Sequence, residues 1–282
     1  MNNGMMDCSF NNNLLRVSLN QNQSASATDS LEPCFPTEIV SKIFSSIPRE
    51  LARWALVSRS WKEWAYEKSF EIREAEEICD EKQWKKYIGD PGIQPHLPLT
   101  LLKDYDKNTH LLTFIPVTID GQPLTMRSIE ILVRNPKNGG HATQYRDIWD
   151  QIMATYGDTP NPKAHWLLLK KDLFEGTRSQ PYEVQKGIVE AHGMEVPELL
   201  GTIVSVFMRY VNTGERVYKA GDANELWTYT RVKEEIGIRE KEKIRKLQLV
   251  VGGFSAAGLR VRNDYDAGVS VGAAGARKSI GP

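Results

Sequence analysis

Cysteine is scarce. Cys8, Cys34 and Cys79 are the only three in 282 residues, odd in number and unevenly spaced. That excludes a disulfide framework and points to a reducing cytosol. All three precede residue 80, so the rest of the chain offers no thiolate to a cysteine protease, a deubiquitinase or a thioester-forming ligase. The Cys/His clusters of a zinc-RING are missing too, and His96 has no second His or Cys at ligand spacing. Excess charge is lacking as well. Lys plus Arg and Asp plus Glu both number 36, so no field argues for nucleic acid or an anionic membrane surface. No apolar run reaches about 18 residues, the length a membrane span requires.

Three glycine patterns come close to known chemistry and miss it. Gly253-x4-Gly258 has the spacing of a phosphate-binding loop, but Leu259-Arg260 stands where Lys and Ser/Thr must hold phosphate and magnesium. Gly272 to Ser279 ends in Lys278-Ser279, yet Arg277 replaces the second glycine and too few residues follow to build a helix. Gly253-Phe254-Ser255-Ala256-Ala257 imitates a nucleophile elbow, and no His follows His192 to serve it. The sequence therefore predicts no catalytic residue, no metal and no cofactor.

What is present begins with a polar tail. Residues 1–30 are rich in Asn and Ser, and Leu14-Leu15 is their only sizeable apolar cluster. Such a segment cannot bury enough surface to offset its ordering entropy, and it is expected to be disordered. It has neither the basic start nor the apolar core of a secretory signal. Its composition is compatible with the uncleaved N-terminal signals of bacterial type III secretion.

Residues 33–65 carry the densest pattern. Ile39, Val40, Ile43, Phe44 and Ile47 form one apolar helical stripe, with Pro36 at a first helical position and Glu38 in the first turn. Ile47 precedes Pro48 and ends that helix. Leu51, Trp54, Ala55 and Val57 continue on a second helix, and Trp61 and Trp64 on a third. This arrangement resembles the F-box, the helical module that docks onto the Skp-type adaptor of cullin–RING ubiquitin ligases. The resemblance rests on Phe35-Pro36-Thr37-Glu38-Ile39, Ile43-Phe44, Leu51 and Val57-Ser58-Arg59-Ser60-Trp61, with Phe35 in place of the usual Leu and a turn before Leu51 one residue shorter. It implies an adaptor-binding face of Phe35, Pro36, Glu38, Ile39, Ile43, Phe44, Leu51, Val57 and Trp61.

Beyond it, residues 69–90 read as a charged helix with Ile72, Ala75, Ile78 and Trp84 as a thin apolar seam, broken by Gly89-Asp90-Pro91-Gly92. The chain thus divides into a tail over 1–30, a helical module over 31–80 and a larger domain over 81–282. In that domain, residues 110–119 and 165–173 read as strands, and Asp120-Gly121 is a hairpin signal. Helices are predicted over 126–134, 143–157, 181–193 and 196–214, the last apolar on most faces and so the central core helix. Strands follow over 225–232, 246–254 and 259–265, with residues 233–246 between them as an exposed charged helix or loop. The expected fold class is α+β with a mainly antiparallel sheet.

The larger domain also looks like the C-terminal part of F-box proteins encoded by chlamydia-like bacteria of amoebae, on QWKKYIGDPG, THLLTFIP, GERVY, TYTR and VVGGF. That implies a bacterial protein delivered into the cytosol of a eukaryotic host and names no fold or activity. Three readings follow. The chain is a substrate receptor joining a target protein to a host Skp–cullin–RING ligase, a competitor that occupies the adaptor without presenting a substrate, or an enzyme of unrecognised type in residues 81–282. The first is the reading the residues favour, with no partner among nucleic acids or membranes.

Overall fold

The computed structural model describes residues 78–221, 226–240, 243–263 and 268–279, so the tail and nearly all of the 31–80 module lie outside the described residues. Ile78 and Cys79 are already buried. Cys79 donates its N–H to the Leu112 carbonyl at 3.0 Å and accepts the Phe114 N–H at 2.8 Å. It is therefore an extended rung beside a strand, so the helix expected over 69–90 does not include it. Asp80 caps a fresh start, its carboxylate accepting the Gln83 N–H at 3.0 Å at the head of α1 (Glu81–Tyr87). Trp84 ties α1 to the domain by donating its indole N–H to the Phe114 carbonyl at 2.8 Å.

Next come α2 (Leu99–Asp104) and β1 (His110–Ile115), which stops before Pro116. Asp120 and Gly121 turn the chain between β2 (Thr118–Ile119) and β3 (Gln122–Pro123) with φ of 49° and 76°, the left-handed pair that Asp-Gly accommodates. Thr125 and Ser128 form a capping box on α3 (Met126–Arg134). The helix expected over 143–157 splits into β4 (Tyr145–Ile148) and α4 (Asp150–Tyr156). Tyr145 explains the difference: its ring is buried 5.2 Å from that of Phe207, and packing of an aromatic strand residue overrides a weak helical period. Then follow β5 (His165–Lys170), α5 (Tyr182–Ala191), α6 (Leu199–Thr213), β6 (Tyr229–Glu240), β7 (Lys243–Ser255), β8 (Gly258–Asn263), β9 (Val271–Gly272) and β10 (Ala276–Ser279).

The described residues form an α+β domain with two principal sheets. One is fully antiparallel in the order β1-β5-β10; the other runs β4-β8-β7-β6-β9. In the second, the central β8-β7-β6 pairings are antiparallel, while the edge pairings β4–β8 and β6–β9 are parallel. The charged segment 233–246 is strand rather than helix or loop. Ile236 and Ile238 recur at a period of two around Gly237 inside a charge run, and Ile236 is buried opposite Leu247. Beyond the reach of β8 and β9, β6 and β7 continue as a ribbon of two strands alone among the described residues, with Ile244 exposed on it.

Helix α6 lies between the sheets, packing on β1 and β5 of one and on β6 and β7 of the other. Ten of its fifteen residues are buried, as expected for the central core helix. Burying Ile203, Val204, Val206, Phe207, Met208 and Val211 stabilises the fold by about 1.5–3 kcal/mol each. Gly214 ends the helix with φ 74°, a left-handed cap its missing Cβ permits.

Candidate functional site

Strand β8 reads Gly-Leu-Arg-Val-Arg-Asn. Leu259 and Val261 are fully buried toward α6, so Arg260 and Arg262 point to the other side of the sheet. Register sets their neighbours. Arg260 faces Gly252 on β7, which faces Tyr229 on β6; Arg262 faces Val250, which faces Arg231. Two parallel rows of side chains result, with Val271 of β9 extending the first beyond Tyr229.

Aromatic rings underlie the arginines. Trp227 stacks on Tyr229 with ring centroids 6.2 Å apart and planes within 9°. The Arg260 guanidinium lies 4.6 Å from the Trp227 centroid, Arg262 lies 4.6 Å from Tyr229, and Arg146 of β4 covers Trp227 from 5.6 Å. Each such contact is worth about 0.5–2 kcal/mol and fixes the plane of the fork. Arg178 holds the aromatic segment in place. It donates to the carbonyls of Trp227 (3.2 Å) and Val269 (3.0 Å) and to the Thr228 hydroxyl (3.0 Å). Gly253 makes room: a Cβ there would sit 2.4 Å from the Tyr229 hydroxyl, and its φ of 55° suits glycine.

The electrostatics are one-sided. Arg146, Arg260 and Arg262 form no ion pair among the described residues, though acids equal bases over the whole chain. The Nε atoms of Arg260 and Arg262 and the Tyr229 hydroxyl are buried without a hydrogen-bond partner. Asp147 of β4 faces Arg260 in register without forming an ion pair with it. Partly desolvated cations with no ion pair among the described residues are costly, and an anionic group brought to the face would relieve them. Two forks at i and i+2 stand about 6.6 Å apart along a strand and each can take a carboxylate or phosphate bidentately.

No family model matches the chain, and no curated protein or solved structure matches it.

The expected adaptor face fares differently: Phe35, Pro36, Glu38, Ile39, Ile43, Phe44, Leu51, Val57 and Trp61 all lie outside the described residues. The larger domain shows no arginine cluster when read linearly, and the fold assembles one. Arg146 reaches it only through the parallel β4–β8 pairing. The local signal was the alternation in Leu259-Arg260-Val261-Arg262, which puts both arginines on one strand face. The glycine pattern 253–258 is the turn between β7 and β8, closed by the Ser255–Gly258 pairing. Ser255 accordingly sits in a hairpin and not on a strand-to-helix elbow. His96 lies exposed in the loop before α2. Cys79 is buried, and burial, then Asp80, push its thiol well above the ordinary range, so it is an inert core residue. No described helix is long and apolar enough to cross a membrane.

Another charged cluster is structural. Glu215 accepts from Arg209 Nε at 2.7 Å and meets Lys171 Nζ at 3.4 Å. Burial opposes ionisation of Glu215, and these two cations overcome it, holding its carboxyl below the usual value. The network closes the loop after α6.

Proposed function

We propose that this chain is a substrate receptor. Residues 31–80 dock on the Skp-type adaptor of a host cullin–RING ligase through the apolar face of Phe35, Ile39, Ile43, Phe44, Val57 and Trp61. The larger domain holds an acidic segment of a target protein on its arginine face. The observation that carries this reading is the set of guanidiniums stacked on Trp227 and Tyr229 that form no ion pair with a described acid. A protein that only occupied the adaptor would have no use for such a face. The work done is proximity: a conjugating enzyme supplies the thioester, and the receptor raises the local concentration of target lysines. The setting is the cytosol of a eukaryotic host, into which the protein is delivered.

Affinity purification from host lysate tests it. Wild type should retain adaptor, cullin and a third protein. Changing Phe35 and Pro36 to Ala should weaken adaptor binding at least about tenfold, since truncating interface anchors costs on the order of 2 kcal/mol. Unchanged adaptor affinity in that variant refutes the docking face, and retention of adaptor and cullin alone refutes the receptor role.

A further inference from the structure

The ribbon of β6 and β7 has one edge engaged and one edge open. On the β6 side the Lys233 N–H donates to the Pro197 carbonyl at 2.9 Å. The Glu235 carbonyl accepts from the Tyr156 hydroxyl at 2.6 Å, and the Gly237 carbonyl accepts from Gln151 at 2.9 Å. The β7 side differs. Strand β8 pairs with β7 only from Leu249 to Ser255 and ends at Asn263, so no described strand flanks residues 243–248 on that side. In an antiparallel pair, alternate residues turn both N–H and C=O to the partner strand, and the others turn them away. Every second residue of 243–248 therefore directs its backbone groups outward, into the lane that β8 has left.

The side chains decide what fits that lane. Residues 243–246 are all exposed, so both faces of β7 are bare there and only β6 supports it. A ribbon of two strands is marginal in water, and a third strand stabilises it. Strand β7 carries Lys243, Arg245 and Lys246 and no acid in its thirteen residues. Glu235 already holds Lys246, while Lys243 makes no ion pair among the described residues. Lys243 and Arg245 point to one face of the strand, and Ile244, 74% exposed, points to the other.

We propose that the β7 edge over residues 243–248 binds an extended acidic segment of another protein as an added strand. Main-chain hydrogen bonds supply the affinity of such a mode, and alternate side chains supply its specificity. The segment that fits has its own alternation. Its acids stand beside Lys243 and Arg245 and its apolar residues beside Ile244, as neighbours across strands on a common face do. A second copy of this chain is a poorer occupant, because β7 laid against β7 brings the Lys and Arg side chains of both copies together. None of these residues belongs to the arginine face, and the test below does not depend on adaptor binding.

The test uses the full-length protein and a short fluorescein-labelled peptide of alternating Glu and Val, followed by fluorescence anisotropy. Saturable binding is expected, weakening as added salt screens the exposed charges. Two N-methylated forms of the peptide show whether it binds as a strand. Methyl groups on the Glu amides block one edge of the extended peptide, and methyl groups on the Val amides block the other. One form should lose at least about tenfold in affinity through its missing hydrogen bonds while the other keeps it. Lys243→Glu with Arg245→Glu, at two exposed positions, should unfold at an unchanged temperature and bind at least about tenfold more weakly. Arg260→Ala with Arg262→Ala silences the arginine face, and the difference between the two N-methylated forms should persist in it. The proposal is overturned by equal affinity of the two methylated forms, by unchanged affinity in the Lys243→Glu, Arg245→Glu variant, or by a difference that vanishes without Arg260 and Arg262. Sedimentation of the free protein as a dimer that the peptide leaves intact gives the edge to a second copy and overturns it too.

Discussion

The two principal sheets use the same backbone for opposite ends. In the β1-β5-β10 sheet, five of six residues of β1 and five of six of β5 are buried, so both faces are covered and the strands read as unbroken apolar runs. In the larger sheet, β8 alternates, with Leu259 and Val261 inward and Arg260 and Arg262 outward. A strand buried on both faces can contribute only stability. One with an uncovered face has positions to spare for recognition, and the arginines occupy them.

The largest effect that comparison implies is on stability. Leu168 is fully buried in the middle strand of the three-stranded sheet. Leu168→Ala should lower unfolding free energy by about 2–5 kcal/mol through lost transfer energy and a residual cavity. A shift of the urea midpoint at constant slope checks it, and a neutral result would mean that sheet is not covered on both faces.

The arginine pair should behave in the reverse way. Arg260→Ala with Arg262→Ala removes two charged groups that lie against rings without an ion-pair partner, so stability should move by no more than about 1 kcal/mol. Retention of an acidic target should fall at least about tenfold, read by quantitative affinity purification. Loss of stability without loss of a partner would make the face structural and erase the contrast.

The smallest effect is on pH dependence. Burial depresses the imidazoles of His110 and His165, at opposite ends of the paired β1 and β5. Below about pH 6.5 the unfolded chain binds protons that the folded chain refuses. Stability is therefore present above that value and lost as pH falls from about 7 through the folded values. Glu234, its carboxyl raised by burial, acts with the opposite sign, its contribution present at low pH and lost as pH rises through its folded value. His110→Gln with His165→Gln should flatten the slope of thermal stability between about pH 7 and 5. An unchanged slope would remove both imidazoles as its source.

The same contrast explains what the sequence made legible. HLLTFI and HWLLLK announce strands because every position is apolar, and α6 announces a core helix for the same reason. Asp120-Gly121 announces its hairpin through backbone chemistry alone. Segment 233–246 was obscured because charge masked an alternation carried by Ile236 and Ile238 alone. Tyr145–Ile148 was obscured because its partner, β8, lies far along the chain. The arginine face needed both corrections, since it exists only once β4 and β6 are placed beside β8 and β7.

The charge run over 233–246 has a further consequence. Where β6 and β7 outrun their neighbours, the β6 edge is partly covered, since its Glu235 and Gly237 carbonyls accept from Tyr156 and Gln151 of α4. The remaining backbone donors and acceptors of the ribbon are an invitation for another copy to add a strand. Lys246 pairs with Glu235 across the ribbon, and Lys243, Arg245 and Arg239 line it with positive charge around the exposed Ile244. A second ribbon laid alongside would bring like charges together and bury them unsolvated. The charges that hide the strands in the sequence thus also stand along an edge where another strand could add.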